Sequence, residues 1–457
     1  MNIQKLPRSV QKMFHIVALA LALALAASVG LPAAAQDASG PILFTNVNVF
    51  DGVNEALIEN ANVVVTDNLI TAVSTEPLAI AGGTVIDGGG RTLMPGLTDC
   101  HWHSMAAYMV GNVFAAGAGK LNLVAAHGAE KTLMRGFTSV RDVGGPVFDL
   151  KEAIDEGLFV GPRIYAAGSM ISQTGGHADF RSTIDIPRSY SRDLTPQEEM
   201  ASVAIADGKA QVMQRVRENL MRGAAFIKLM GGGGVASPSD PLDVSQYTIE
   251  EIAAAVEVAE NWGTYVTVHS YSAKAIQNAI RGGVRNVEHG QLIDEETAKL
   301  MQETNTSVCM QPFYDDEDAI PLPPGSFQEK KYQQLISGTD NAFALAKKYD
   351  LLFGFGTDTQ GNPALAERQG AQLAKLVRYF EPWEVLKIAT SQNYQIMKRS
   401  GPRDPYPGEN GVVREGAYAD LLLVDGNPLE NIDLIADPEN NFVIIMKDGV
   451  IYKNTIE

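Results

Sequence analysis

Short apolar, β-rich runs recur through the middle of the chain, and a single polar residue closes each of them. GLTDCHWH at residues 96–103 opens the series; FIKLM carries Lys228, TYVTVHS carries His269, VRNVEHG carries His289 and LLFGFGTDT carries Asp358. Continuous apolar runs of this length fit strands buried on both faces, as in a parallel sheet. Between them lie helical patterns such as YTIEEIAAAVEVAENWG and AKAIQNAIRGG, each ending in glycine. Alternating strands and helices predict an α/β fold, and a (β/α)8 TIM barrel is the economical solution. Its strands are expected near Leu97–His103, Thr138–Asp142, Arg163–Ser169, Phe226–Met230, Tyr265–His269, Val287–Glu288, Ser307–Gln311 and Leu352–Gly356. A polar residue at the C-terminal end of such a strand lies at the barrel mouth, so residues far apart in sequence converge there.

The two ends of the chain read differently. Residues 41–95 and 405–457 hold short alternating strands with turn signals, among them ILFTNVNVFDG, ADLLLVDGNP and NFVIIMKDGVIYKN. Neither end alone has enough strands to bury a sheet face, so they are expected to pair as one small, discontinuous β-sandwich beside a barrel at 96–404. Residues 1–35 have the form of a secretory signal peptide: Lys5, Arg8 and Lys12 precede the apolar core IVALALALALAA, and Ala33 and Ala35 form a cleavage site before Gln36. The mature chain is therefore expected in the periplasm or outside the cell, with no membrane anchor.

The polar residues at the strand ends suggest chemistry. His101 and His103 alternate with Trp102 on one strand, so both imidazoles point the same way and can grip one ion. Lys228 can join such a site only if neutral or modified, because an ammonium repels cations. Reaction with carbon dioxide would make it a carbamate whose two oxygens bridge two ions about 3.5–4 Å apart. The expected arrangement places His101, His103 and Asp358 on a first ion, His269 and His289 on a second, and carboxylated Lys228 between them. Two divalent ions lower the pKa of shared water towards about 7. Asp358 is then the candidate to accept the water's proton and return it to the leaving nitrogen. Gly231–Gly234 lack a following GK[ST], which excludes a phosphate loop; they are expected to give the backbone room beside substrate. Arg141 and Asp142 are expected to form a structural ion pair, and Asp315–Gly338 a loop that covers the site. Cys100 and Cys309 lie on strands that are not neighbours and are expected to be free thiols.

Together these segments resemble the amidohydrolase superfamily over nearly the whole mature chain. SQTGGHAD around His177, IKLMGGGGVASPSD after Lys228 and VHSYS after His269 are similar to the branch of Xaa-Pro and Xaa-Arg dipeptidases and ochratoxin-type amidases. The resemblance implies N6-carboxylysine at Lys228, substrate contacts from His177 and Tyr271, and a homo-oligomer as large as an octamer. The chain departs from the branch pattern at Ala178, where glycine is usual.

Charge narrows the partners. With 36 basic and 54 acidic residues the chain carries −18, and loss of the leader's three lysines and arginines makes it −21; nucleic acid is excluded as a natural partner. The sequence therefore predicts a zinc-dependent binuclear amidohydrolase, although the donors suit manganese, cobalt and iron equally. Its expected substrate is a small amide, an N-acyl amino acid or dipeptide with a free C-terminal carboxylate. The alternatives are a cyclic-amide hydrolase of the hydantoinase or imidazolonepropionase type and a non-catalytic periplasmic metal-binding protein.

Overall fold

The computed structural model describes residues 40–110, 116–181, 186 and 194–456, so the expected leader lies outside the described residues. The chain begins with β1 (Ile42–Val49), β2 (Ile58–Thr66), β3 (Leu69–Ser74), β4 (Thr84–Asp87) and β5 (Thr92–Pro95). It ends with β16 (Leu421–Val424), β17 (Phe442–Lys447) and β18 (Val450–Asn454). These strands form one eight-stranded sheet, joined where β16 pairs antiparallel with β5. Alternation explains why β16 is apolar throughout. Leu421 and Leu423 enter a core shared with Phe44, Val63 and Ile444, while Leu422 and Val424 pack with Phe442 against the barrel.

The barrel strands are β6 (Leu97–Trp102), β7 (Phe137–Asp142), β8 (Arg163–Ala166), β11 (Ile227–Met230), β12 (Val266–Ser272), β13 (Asn286–Leu292), β14 (Ser307–Met310) and β15 (Phe353–Phe355). Every ladder between them is parallel. Two backbone bonds knit the remaining seams: Ala225 N–H to Ala166 O at 2.8 Å, and Asp358 N–H to His101 O at 2.8 Å. Gly356 makes the second seam possible, since a Cβ there would lie 2.4 Å from the His101 backbone nitrogen.

The third strand is shorter than expected. The chain turns at Gly168, whose φ is +79°, and continues as β9 (Met170–Ser172), which pairs with β10 (Val203–Ile205) and touches β11. The helices follow their sequence signals. Ile249–Asn261 starts in a capping box between Thr248 and Glu251. Residues 327–348 are also helical, capped by Ser326, whose hydroxyl accepts from Glu329 N–H at 3.0 Å. The expected loop at 315–338 is thus a loop only in its first half.

Strand alternation sorts the barrel wall. Ile227, Leu229, Val266, Val268 and Val287 pack outward with Ile252 and Ile276 of the helices, while Lys228, Thr267, His269 and Glu288 face inward. His289 breaks this rule: its left-handed backbone, φ 81°, lets it and the preceding Glu288 both reach His101.

Candidate metal centre

Six sequence-predicted residues meet at the C-terminal end of the barrel. Asp358 Oδ1 lies 3.3 Å from His101 Nε2 and 3.2 Å from His103 Nε2. Donor atoms of His101, His289 and Asp358 fall within 4.8 Å of one another. The His289 ring centroid is 4.8 Å from that of His101 and 4.4 Å from that of His269. Lys228 is buried beneath them, 1% exposed.

Each histidine anchors one ring nitrogen on an acceptor, and His101 and His103 turn the other towards Asp358. His101 Nδ1 donates to Glu288 Oε2 at 2.8 Å, His103 Nδ1 to Gly144 O at 3.0 Å and His289 Nδ1 to Gln311 Oε1 at 2.6 Å. His269 is reversed, donating through Nε2 to Gly233 O at 3.2 Å. Such outer partners fix tautomer and ring orientation and are what metal-binding imidazoles require. Burial, reinforced by neighbouring positive charge, holds His269 and His289 well below the usual imidazole range, so both keep a lone pair.

Asp358 is also built for the site. Burial alone would raise its pKa, but the charges and hydrogen bonds of His101 and His103 outweigh this and hold it well below the ordinary carboxylate value. Burial likewise disfavours charge on His103, yet Asp358 and Asp142 raise it above its ordinary value. Asp358 keeps 16% of its side chain exposed and accepts from Gln360 Nε2 at 3.0 Å. Its backbone is left-handed, φ 54°, a conformation that aspartate and asparagine tolerate better than most residues.

Lys228 fits a modified role. Among the described residues its Nζ has no hydrogen-bond or ion-pair partner, and its side chain is almost wholly buried. Burial brings its pKa down to about 8, against the pull of Glu288 and Asp358. The donors therefore suit divalent cations: imidazoles, two of which burial keeps neutral, one ionised carboxylate and an amine that burial has made reactive.

Several contributing residues escaped the sequence reading. Glu288 accepts from Arg141 Nη1 at 2.6 Å, Thr267 Oγ1 at 2.5 Å and Asn286 Nδ2 at 2.8 Å in addition to His101. The Arg141–Asp142 ion pair is not formed. Neighbours on a strand point to opposite faces, so Arg141 pairs with Glu288 while Asp142 accepts from the Ser104 and Gly144 N–H groups. Asp99 ties the first strand to the eighth, accepting from His101 N–H at 2.9 Å and Thr357 Oγ1 at 2.8 Å. Its one visible signal was an acid placed inside an apolar strand.

His177 stacks on His269 with centroids 4.1 Å apart, and Tyr271 stands edge-on to His269 at 5.0 Å. Both sequence-predicted substrate contacts thus border the candidate metal ligands. His177 Nδ1 is 2.7 Å from Ser237 Oγ and 3.5 Å from Asp240. Burial keeps the Tyr271 hydroxyl protonated, its pKa raised well above the ordinary value. The glycine run makes room for neighbouring chain: a Cβ on Gly234 would sit 2.2 Å from the His177 ring, and one on Gly233 1.7 Å from Pro241 O. Ala178 has φ 72°, which explains the usual glycine, since a left-handed residue with a Cβ costs about 1–2 kcal/mol.

Lys331 was also missed. Its Nζ donates to the carbonyls of Gly234, Ser237 and Asp240 at 2.5, 2.7 and 3.1 Å, pinning the loop that holds His177. Lys331→Met is expected to lower stability by about 1.5–3 kcal/mol and to raise KM while metal content stays constant. Denaturant unfolding and metal analysis of the variant check this; an unchanged KM contradicts it.

Residues 92–456 match the model of the amidohydrolase family. The chain belongs to that family. It is 30% identical to the ochratoxinase of Aspergillus niger over 411 residues, covering 87% of this chain and 83% of the relative. Among solved structures, a prolidase complexed with N-methylphosphonate-L-proline is 33% identical with a TM-score of 0.81, covering 91% of this chain and 100% of that one. A Xaa-Pro dipeptidase with methionine bound in its active site is 27% identical with a TM-score of 0.78 over the same shares. This amidohydrolase is thus a metal-binding hydrolase that acts on C–N bonds.

Proposed function

We propose that this amidohydrolase is a binuclear enzyme cleaving the amide of N-acyl amino acids or dipeptides whose leaving half keeps a free carboxylate. The observation that carries the reading is the convergence of His101, His103, His269, His289 and Asp358 around the buried Lys228, which has no partner among the described residues. His101, His103 and Asp358 would hold one divalent ion, zinc in the simplest case, and His269 and His289 the other, with carboxylated Lys228 shared. When bound, the ions supply Lewis-acid polarisation of the scissile carbonyl and activated water at neutral pH.

The residues of the chain do the rest. Asp358, ionised and partly open to solvent, accepts the proton of the attacking water and delivers it to the departing nitrogen, which must be protonated to leave. His177 and the protonated Tyr271 offer donors to the carboxylate of the leaving half. The barrel wall excludes bulk water, which strengthens these charge interactions. Within the same reading the enzyme works after export, as residues 1–35 suggest.

A panel of N-acyl amino acids and dipeptides, each with a free and an amidated C-terminal carboxylate, tests the substrate. The free acids alone are expected to be cleaved. Cleavage of cyclic amides and of no linear amide by the metal-loaded enzyme would contradict the reading.

Lysine reacts with carbon dioxide only as the neutral amine, releasing one proton as the carbamate forms. At a fixed concentration of dissolved carbon dioxide, recovery of the metal-free enzyme is therefore expected to speed up as pH rises towards about 8 and to level off above it. Intact-protein mass should show one carbon dioxide added to the wild type and none to Lys228→Met. An unmodified Lys228 in the fully active enzyme would contradict the bridging role.

A further inference from the structure

We propose that the side chain of the released amino acid is apolar, and that Val235, Leu242, Phe313, Ile320 and Leu322 receive it beside Tyr271. The inference rests on the reaction proposed above and adds the identity of the leaving group. Tyr271 belongs to one apolar cluster with these five residues, and its ring lies 4.7 Å from that of His289. The wall therefore begins at the metal ligands themselves. It is assembled from three separate segments: the loop after β11, the end of β12 and the segment after β14. Val235 and Leu242 are buried at 5% and 2% exposure, whereas Phe313, Ile320 and Leu322 remain partly open. An apolar surface that is half covered in this way gains free energy when a ligand side chain completes its burial.

Charge around the wall disfavours a basic leaving residue. Three acids of the same segment are already paired: Asp316 and Asp318 with Lys375, and Glu317 and Asp318 with Arg368; Asp315 is exposed to solvent. Lys331 lies beneath the Val235 loop, hydrogen-bonded to backbone carbonyls. A guanidinium placed against the wall would meet the fixed positive charge of Lys331, while Asp240, the acid that acts on Tyr271 from the Val235 loop, already accepts from Gly234 N–H at 2.7 Å and faces His177 at 3.5 Å.

The test compares kcat/KM for N-acetyl-Phe, N-acetyl-Leu and N-acetyl-Arg with the zinc-loaded full-length enzyme and its Ile320→Asp and Ile320→Ala variants. Metal content and thermal midpoint serve as fold controls. The wild type is expected to prefer the apolar substrates over the arginine derivative by about 10- to 100-fold, the range set by burying one such side chain. Ile320→Asp should shrink that ratio at least about tenfold, and Ile320→Ala by less. An arginine substrate cleaved as fast as the apolar ones, or a ratio that both well-folded variants retain, overturns the inference alone. Failure to cleave any of the three overturns the proposed reaction, and the inference with it.

Discussion

Asp358→Asn is expected to lower kcat by about 10²–10⁴-fold, the range for loss of a positioned acid–base group, while most of the metal is retained. Asparagine keeps the size of the side chain and tolerates the left-handed backbone at φ 54°, so the change is chemical rather than conformational. It cannot accept the proton that the ionised Asp358 takes, and it removes the negative charge that raises His103. The amide oxygen can still serve as a ligand, and His101, His103, His269 and His289 are untouched. Steady-state kinetics on the metal-loaded variant, with metal content measured on the same sample, checks this. Near-normal kcat would refute the shuttle.

Glu288→Leu is expected to cost about 3–5 kcal/mol of stability, because it leaves Arg141 buried without its counter-charge. Arg141 and Glu288 are both completely buried, and Arg141 holds the network through Tyr265 and the Cys100 carbonyl, each at 3.0 Å. Arginine cannot shed its proton to escape the penalty. The same substitution removes the carboxylate that orients His101, so metal affinity should fall by about 10–100-fold. The double variant Arg141→Met/Glu288→Leu separates the two effects. With both charges gone its stability should recover in large part, but metal affinity should not, since His101 still lacks its partner. Denaturant midpoints and metal titrations of both variants decide it. A single variant that loses under about 1 kcal/mol would show that the pair is not the keystone described.

The barrel and the convergence of six polar residues at its mouth were legible because two patterns coincide: apolar strands buried on both faces, and one polar residue at each strand end. His101, His103, Lys228, His269, His289 and Asp358 stand out against such strands. Glu288 did not, because its partner Arg141 is 147 positions away and nothing local marks either as buried. The expected pairing of Arg141 with Asp142 failed on strand alternation itself. β9 and β10 were not seen, being three residues each and too short for a period-2 signal. Cys100 and Cys309 are free thiols as expected, yet both lie in one small cluster with Ile396. Counting strands along the wall missed that inward-facing side chains meet across the barrel. The role of Lys331 depends on backbone carbonyls, which leave no trace in residue identity.

Hydrolysis is proposed to need two ions, held by His101, His103, His269, His289 and Asp358 together with carboxylated Lys228. Titrating zinc into the metal-free, bicarbonate-equilibrated enzyme while following hydrolysis of an N-acyl amino acid tests it most directly. Activity is expected to climb to a plateau at two equivalents of metal per chain. A plateau at one equivalent, or full activity before any metal is added, would contradict it.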